Sequence, residues 1–168
     1  MIRLKTLLSE ITLNQKPYAT QFSWGQSYDT VSTEFMADNF KFTIIMYYDR
    51  DIGEDGGWEL TFKSPNADGD QTVAHSRSVA SGQINYLRLI NTVLEALFDF
   101  IDIAGPEVVD ITGVDPASDE KQLQKTRIYR ELLKSRNNEL LSAGYKLIDR
   151  DNKLLLVRVS NADSSGIE

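Results

Sequence analysis

Residues 75–82, HSRSVASG, set a histidine, an arginine, three serines and a glycine directly ahead of the strongest helical pattern in the chain. A loop of small residues running into a helix can hold an oxyanion. The first N–H groups of a helix have no intrahelical partner, and the helix dipole favours negative charge there. The same composition also serves as a flexible turn. His75 is the only histidine; a lone imidazole in a polar loop reads as a solvated side chain rather than a general base or metal ligand. The stretch AHSRS has no nucleophile-elbow pattern around its serines, so serine-hydrolase chemistry has no support.

Two acidic runs and one basic face complete the groups with chemical potential. Asp49, Asp51, Glu54 and Asp55 fall in the run DRDIGED. As a calcium loop starting at Asp49 it fails. Gly53 stands at the third ligand position, Glu54 where glycine is needed, and Leu60 where the closing bidentate Glu belongs. Asp68 and Asp70 in NADGD are too few to make a site, and both runs read as solvated turns. Arg127, Arg130 and Lys134 share one helix face by their spacing, a candidate binding face for phosphate or an acidic partner. Glu131 and Glu139 moderate that face, so it also reads as ordinary solvated surface.

The chain bounds these options. It has 168 residues, no cysteine, and a net charge of −7 with a pI near 4.8. One domain of this length buries about 70% of its unfolded surface, enough for a core without staples. Disulfides, thiolate metal sites and a cysteine nucleophile are excluded. The acidic balance argues against broad nucleic-acid binding. No apolar run approaches the roughly 20 residues needed to cross a membrane.

The elements that must position these groups follow from periodicity. Ile2, Leu4, Leu7, Leu8 and Ile11 predict a short N-terminal helix over residues 1–13. Residues 14–39 predict loops with at most one short strand. NFKFTIIMYYDR alternates and predicts a strand covered on both faces; WELTFKS predicts its antiparallel partner across the loop DIGEDGG. Residues 65–82 carry no pattern. Leu87, Ile90, Leu94, Leu97, Phe98 and Ile101 predict a helix over residues 83–103, stopped by Gly105-Pro106. EVVDITGV predicts a strand with Val109 and Ile111 on one face. Asp115 and Pro116 suit a helix start, with that helix continuing to Ala143 and stopping at Gly144. Its predicted buried residues are Ile128, Tyr129, Leu132, Leu133, Leu140 and Leu141. YKLI and KLLLVRV predict a terminal hairpin, and residues 160–168 a polar tail. The result is an α/β (α+β) domain over residues 14–159, a mixed and mostly antiparallel sheet flanked by two long helices.

This order from Phe40 onward resembles the GNAT N-acetyltransferase superfamily, whose Arg/Gln-x-x-Gly-x-Gly/Ala loop holds the pyrophosphate of acetyl-CoA. The resemblance implies Arg77, Ser78, Ala80, Ser81 and Gly82 as the cofactor loop and Tyr129 as a possible general acid. Ala80 stands where the family has its first glycine. Its methyl group obstructs close backbone approach and disfavours positive φ. The chain also resembles small acidic phage proteins of GNAT-like topology in TVLEALFDFI, GPEVVDITGV and RIYRELL. MIRLKTLLSE is similar to the capsid-targeting peptides of T-even-type phages, with Leu8-Ser9-Glu10 at the cleavage motif. These resemblances imply a non-catalytic phage accessory or virion-associated protein without a cofactor, binding a phage or host protein in the host cytoplasm or the virion. The alternative they imply is an acetyl-CoA-dependent N-acetyltransferase.

Overall fold

The computed structural model describes residues 16–37, 40–65, 71–73, 86–111, 120–150 and 153–159. The predicted N-terminal helix and targeting peptide, the Asp115-Pro116 helix start and the polar tail lie outside them.

Among the described residues eight strands form one sheet: β1 (Phe22–Trp24), β2 (Thr30–Ala37), β3 (Phe40–Asp49), β4 (Gly57–Pro65), β5 (Gln71–Val73), β6 (Val108–Asp110), β7 (Tyr145–Arg150) and β8 (Lys153–Arg158). Among the described residues three helices accompany them: α1 (Tyr86–Ala104), α2 (Glu120–Ser135) and α3 (Asn137–Ser142). The strand order is β1-β2-β3-β4-β6-β8-β7, with β5 paired to β4 outside that path. Every pairing is antiparallel except β4 with β6. The chain is therefore α+β with a mostly antiparallel sheet. The single parallel pair follows from α1, which carries the chain back so that β4 and β6 start at the same end.

Two strands were missed by periodicity. In β2 the buried positions are Val31, Thr33, Phe35 and Ala37. The period is two, but Thr33 and Ala37 are weak hydrophobic markers, so the alternation does not stand out. The three-residue strand β5 lies in the stretch that carries no pattern. The hairpin of β3 and β4 and the terminal hairpin of β7 and β8 form as expected.

The expectation that β3 is covered on both faces is corrected. Phe42, Ile44 and Met46 are buried, as are Leu60 and Phe62 beside them in β4. On the opposite face Lys41 is exposed and Ile45 and Tyr47 are half-buried; Thr43 alone is buried. Val109 of β6 and Leu154 and Leu156 of β8 continue the buried face, and all of these join one cluster with residues of α1 and α2.

α1 is buried around more of its girth than a narrow stripe: Leu89, Val93, Ala96 and Phe100 are covered as well as Ile90, Leu94, Leu97 and Ile101. Gly105 ends it at φ 55, its N–H bonded to Ile101 O at 3.1 Å. That left-handed turn is what glycine supplies without steric cost.

The predicted single helix to Ala143 is interrupted at Arg136, between α2 and α3. The Arg136 N–H bonds Leu132 O and Leu133 O at 3.2 and 3.1 Å, a tightened last turn. The side chain braces the break. Arg136 reaches Glu95 of α1 at 2.7 Å, grips Glu139 through two nitrogens at 2.6 and 2.7 Å, and lies 4.0 Å over the Phe98 ring. One guanidinium thus ties the kink to α1. Gly144, at φ 84, closes α3 as expected. Leu141, predicted to be buried, is instead 52% exposed, because the break turns α3 onto a different face.

Candidate functional site

Arg127, Arg130 and Lys134 all lie on α2. Arg127 is exposed. Arg130 Nε is 2.7 Å from Asp149 Oδ2 on β7, and Lys134 Nζ is 3.4 Å from the same oxygen. The hydrogen bond from Arg130 holds the Asp149 carboxyl below its ordinary pKa. Two of the three cations are thus engaged with the protein's own sheet.

Tyr129 is 2% exposed and packs in the core with Leu132 and Leu133. Arg77, Ser78, Ala80, Ser81 and Gly82 lie outside the described residues, as do His75, Asp68 and Asp70. The strands on either side of the crossover can be followed. Among the described residues β4 and β6 pair at Trp58 with Val109 and Glu59 with Asp110. Further along the same edge of β4, Lys63, Ser64 and Pro65 pair instead with β5.

The acidic loop between β3 and β4 is ordered by local bonds. Asp49 Oδ1 accepts the Asp51 N–H at 2.9 Å, and the Tyr48 hydroxyl donates to Asp55 O at 2.7 Å. Its carboxylates do not converge: among the described residues no three His, Cys, Asp or Glu side chains are grouped to hold a metal.

The same end of the sheet carries a feature that periodicity did not mark. Trp24, Tyr48 and Trp58 project from the face that bears Val31, Met46 and Leu60; Tyr48 and Trp58 pair one step past that buried row, and Trp24 ends the row itself on the edge strand β1. Trp58 packs edge-on against Phe100 of α1 with ring centres 5.1 Å apart. Outward from it stand Trp24 at 6.3 Å and Tyr48 at 5.8 Å, both edge-on, and Tyr28 lies 6.5 Å from Trp24. Exposure rises along this series, from Phe100 in the core to Tyr48 at 40%, Trp24 at 43% and Tyr28 at 75%.

Local chemistry fixes the cluster. A tight turn joins β1 to β2, with Gly25 N–H bonded to Thr30 O at 2.7 Å and Tyr28 N–H to Gly25 O at 3.2 Å. Tyr28 is the one non-glycine residue at positive φ among those described, at 58°. A bulky residue there costs energy that Gly or Asn would not. Across the hairpin, Gly56 sits at φ 87, and a Cβ on it would collide with the Tyr48 ring. Tyr48 can therefore lie flat on its own loop only because residue 56 lacks a side chain. The signal in the sequence was composition rather than period: both tryptophans of the chain belong to this cluster.

Compared with known protein families, curated proteins and solved structures, the chain matches none.

Proposed function

We propose that this chain is a non-catalytic, phage-type accessory or virion-associated protein with a GNAT-like fold that works by binding another protein. The observation that carries this reading is the exposed aromatic series Trp24, Tyr48 and Tyr28, seated on the partly buried Trp58. Large aromatic rings left in water at the rim of a core, one of them held in a strained backbone conformation, are what a protein contact needs and what packing alone does not. The GNAT-like element is supported by the order of strands and the crossover through α1. The phage origin is supported by the N-terminal resemblance. The site of action is the host cytoplasm or the virion.

The aromatic reading is tested by site-directed crosslinking. The chain has no cysteine, so Tyr28→Cys and Lys153→Cys each offer a single attachment point for a benzophenone. In lysate of infected cells the label at position 28 is expected to give a discrete protein adduct, and the label at 153 none. Equal, diffuse labelling from both positions would contradict the reading.

A second reading, an acetyl-CoA-dependent N-acetyltransferase, is favoured by one observation: β4 and β6 are parallel neighbours that part after two residue pairs. Burial of Tyr129 and the seating of β5 along the vacated edge of β4 weigh against it. Titration with acetyl-CoA followed by calorimetry separates the two. No saturable heat at micromolar ligand is expected; saturable binding would favour the enzyme.

A further inference from the structure

The aromatic cluster does not stand alone. Asp29 follows Tyr28, Asp49 follows Tyr48, and Asp51, Glu54 and Asp55 lie in the loop whose backbone receives the Tyr48 hydroxyl. Main chain joins the two turns, since the Tyr48 N–H bonds Asp29 O at 2.7 Å. Ser27 donates a hydrogen bond to Asp29, which holds that carboxyl below its ordinary pKa and keeps it anionic. Within residues 49–55 the four carboxylates face a single cation, Arg50. Among the described residues none of these five carboxylates is in an ion pair, whereas Arg158, at the neighbouring end of β8, is paired with Glu107.

We propose that the Trp24–Tyr28–Tyr48 surface, with the carboxylates of Asp29, Asp51, Glu54 and Asp55 around it, is a docking site for an arginine-rich segment of the partner protein. The inference rests on the protein-binding reading above and adds the chemistry of the occupant. Aromatic faces attract cations through their quadrupole, and guanidinium planes stack on indole and phenol rings more readily than ammonium groups do. Carboxylates at the rim then supply hydrogen-bonding partners and steer the approach. The protein already shows this pairing within itself: Arg88 lies 3.8 Å over Tyr18 and Arg136 lies 4.0 Å over Phe98. At the open end of the sheet the rings and acids are present and the guanidinium is not supplied by the described chain.

Because both tryptophans sit in the cluster, intrinsic fluorescence reads the site directly. The probe is a short peptide alternating arginine and glycine, added to the full-length protein. The expected result is a saturable change in emission, weakened several-fold when lysine replaces arginine and abolished when citrulline replaces it. Tyr28→Gly removes the ring while relieving the positive φ, so folding is preserved; it is expected to weaken binding roughly fivefold. The pair Asp51→Asn and Glu54→Gln is expected to weaken it by a similar factor and to flatten its salt dependence. Peptide binding that leaves emission unchanged, or that survives Tyr28→Gly intact, would reduce the effect to bulk attraction by an acidic protein and overturn the proposal. So would concentration-dependent self-association lost in Tyr28→Gly, which would make the occupant a second copy. If the cationic peptide fails while the position-28 crosslink forms, the chemistry assigned to the partner is wrong and the protein-binding reading stands. If both fail, both are wrong.

Discussion

Two groups of aromatic rings lie on one face of the same strands and have opposite fates. Phe35, Phe42 and Phe62 stack across β2, β3 and β4 with neighbouring ring centres 5.4 to 5.7 Å apart, and Tyr18 extends the stack at 5.4 Å from Phe35. The three phenylalanines are 4% exposed or less. Trp24, Tyr48 and Trp58 sit toward the other end of these hairpins, edge-on rather than stacked, with Trp58 half-buried and Trp24 and Tyr48 open to water. Aromatic character and sheet face are shared, so neither explains the difference. Position in the sheet does: Trp24 lies on the edge strand β1, Tyr48 and Trp58 lie one step beyond the buried row, and Phe100, four residues before the end of α1, is the last buried ring the helix offers to this group. A sheet face longer than its covering helix leaves a rim, and here the rim is filled with rings that have a polar handle.

The largest predicted effect breaks this comparison into its two halves. Phe42→Ala should cost about 3–5 kcal/mol, the usual loss for a fully buried ring with its cavity. Trp24→Ala should cost about 1 kcal/mol or less, because its ring is already half in water. Urea unfolding checks both through the midpoint at constant slope. Equal losses would mean that Trp24 is core, and the aromatic rim would lose its claim to be a contact surface.

A second contrast concerns charge. At the helical side, cations and acids are matched within the fold: Arg136 with Glu95 and Glu139, Arg130 and Lys134 with Asp149. At the aromatic rim the acids are left over. Arg136→Ala should cost about 1–2 kcal/mol, since it removes a bidentate pair, a link to α1 and a ring contact together. Lys134→Ala, exposed and at 3.4 Å, should cost under about 0.5 kcal/mol. Thermal unfolding distinguishes them. Substituting Asp51 or Glu54 should leave stability unchanged or slightly raised, because these acids have no cation to lose.

The pH dependence sharpens the same contrast. Glu139 and Asp149 are held below their ordinary pKa by the hydrogen bonds from Arg136 and Arg130. A carboxyl depressed in the folded state stabilises the fold above its unfolded pKa, near 4, and this contribution is lost as pH falls through the lower folded value. Stability should therefore decline on the acid side of pH 4, and less steeply in Arg136→Ala. At the alkaline end, burial and a hydrogen bond with Glu59 push Tyr47 up to about 12. Its folded pKa is raised, so its contribution is complete below pH 10 and disappears as pH rises through about 12. Absorbance titration should show the tyrosinate of Tyr47 forming late, together with that of Tyr145, which burial also pushes up; Glu59→Gln should bring the Tyr47 step earlier and leave Tyr145 in place, the smallest effect of the set.

How much of this was legible depended on how strongly each segment marks its own period. The β3–β4 and β7–β8 hairpins, α1 and its glycine stop are carried by dense apolar repeats and turn residues, and they read directly. β2 hid because threonine and alanine fill half its inward positions. The break at Arg136 hid because the contact that braces it, with Glu95, lies 41 residues away, where no local pattern reaches. The basic face was visible as spacing, but its partner Asp149 lies on a strand that only the fold brings near. The aromatic rim was invisible to periodicity because its members come from two hairpins and meet only when β1, β3 and β4 align.

The most direct test of the central claim uses the chain's two indole N–H groups, which give two isolated signals in a nitrogen–proton correlation spectrum. Titration with the arginine–glycine peptide should shift both indole signals and the amides of residues 28 and 51–55 first, leaving the amides around Arg127, Arg130 and Lys134 in place. Movement of those α2 amides with both indoles stationary would put the contact surface on the opposite, charge-matched side and contradict the account.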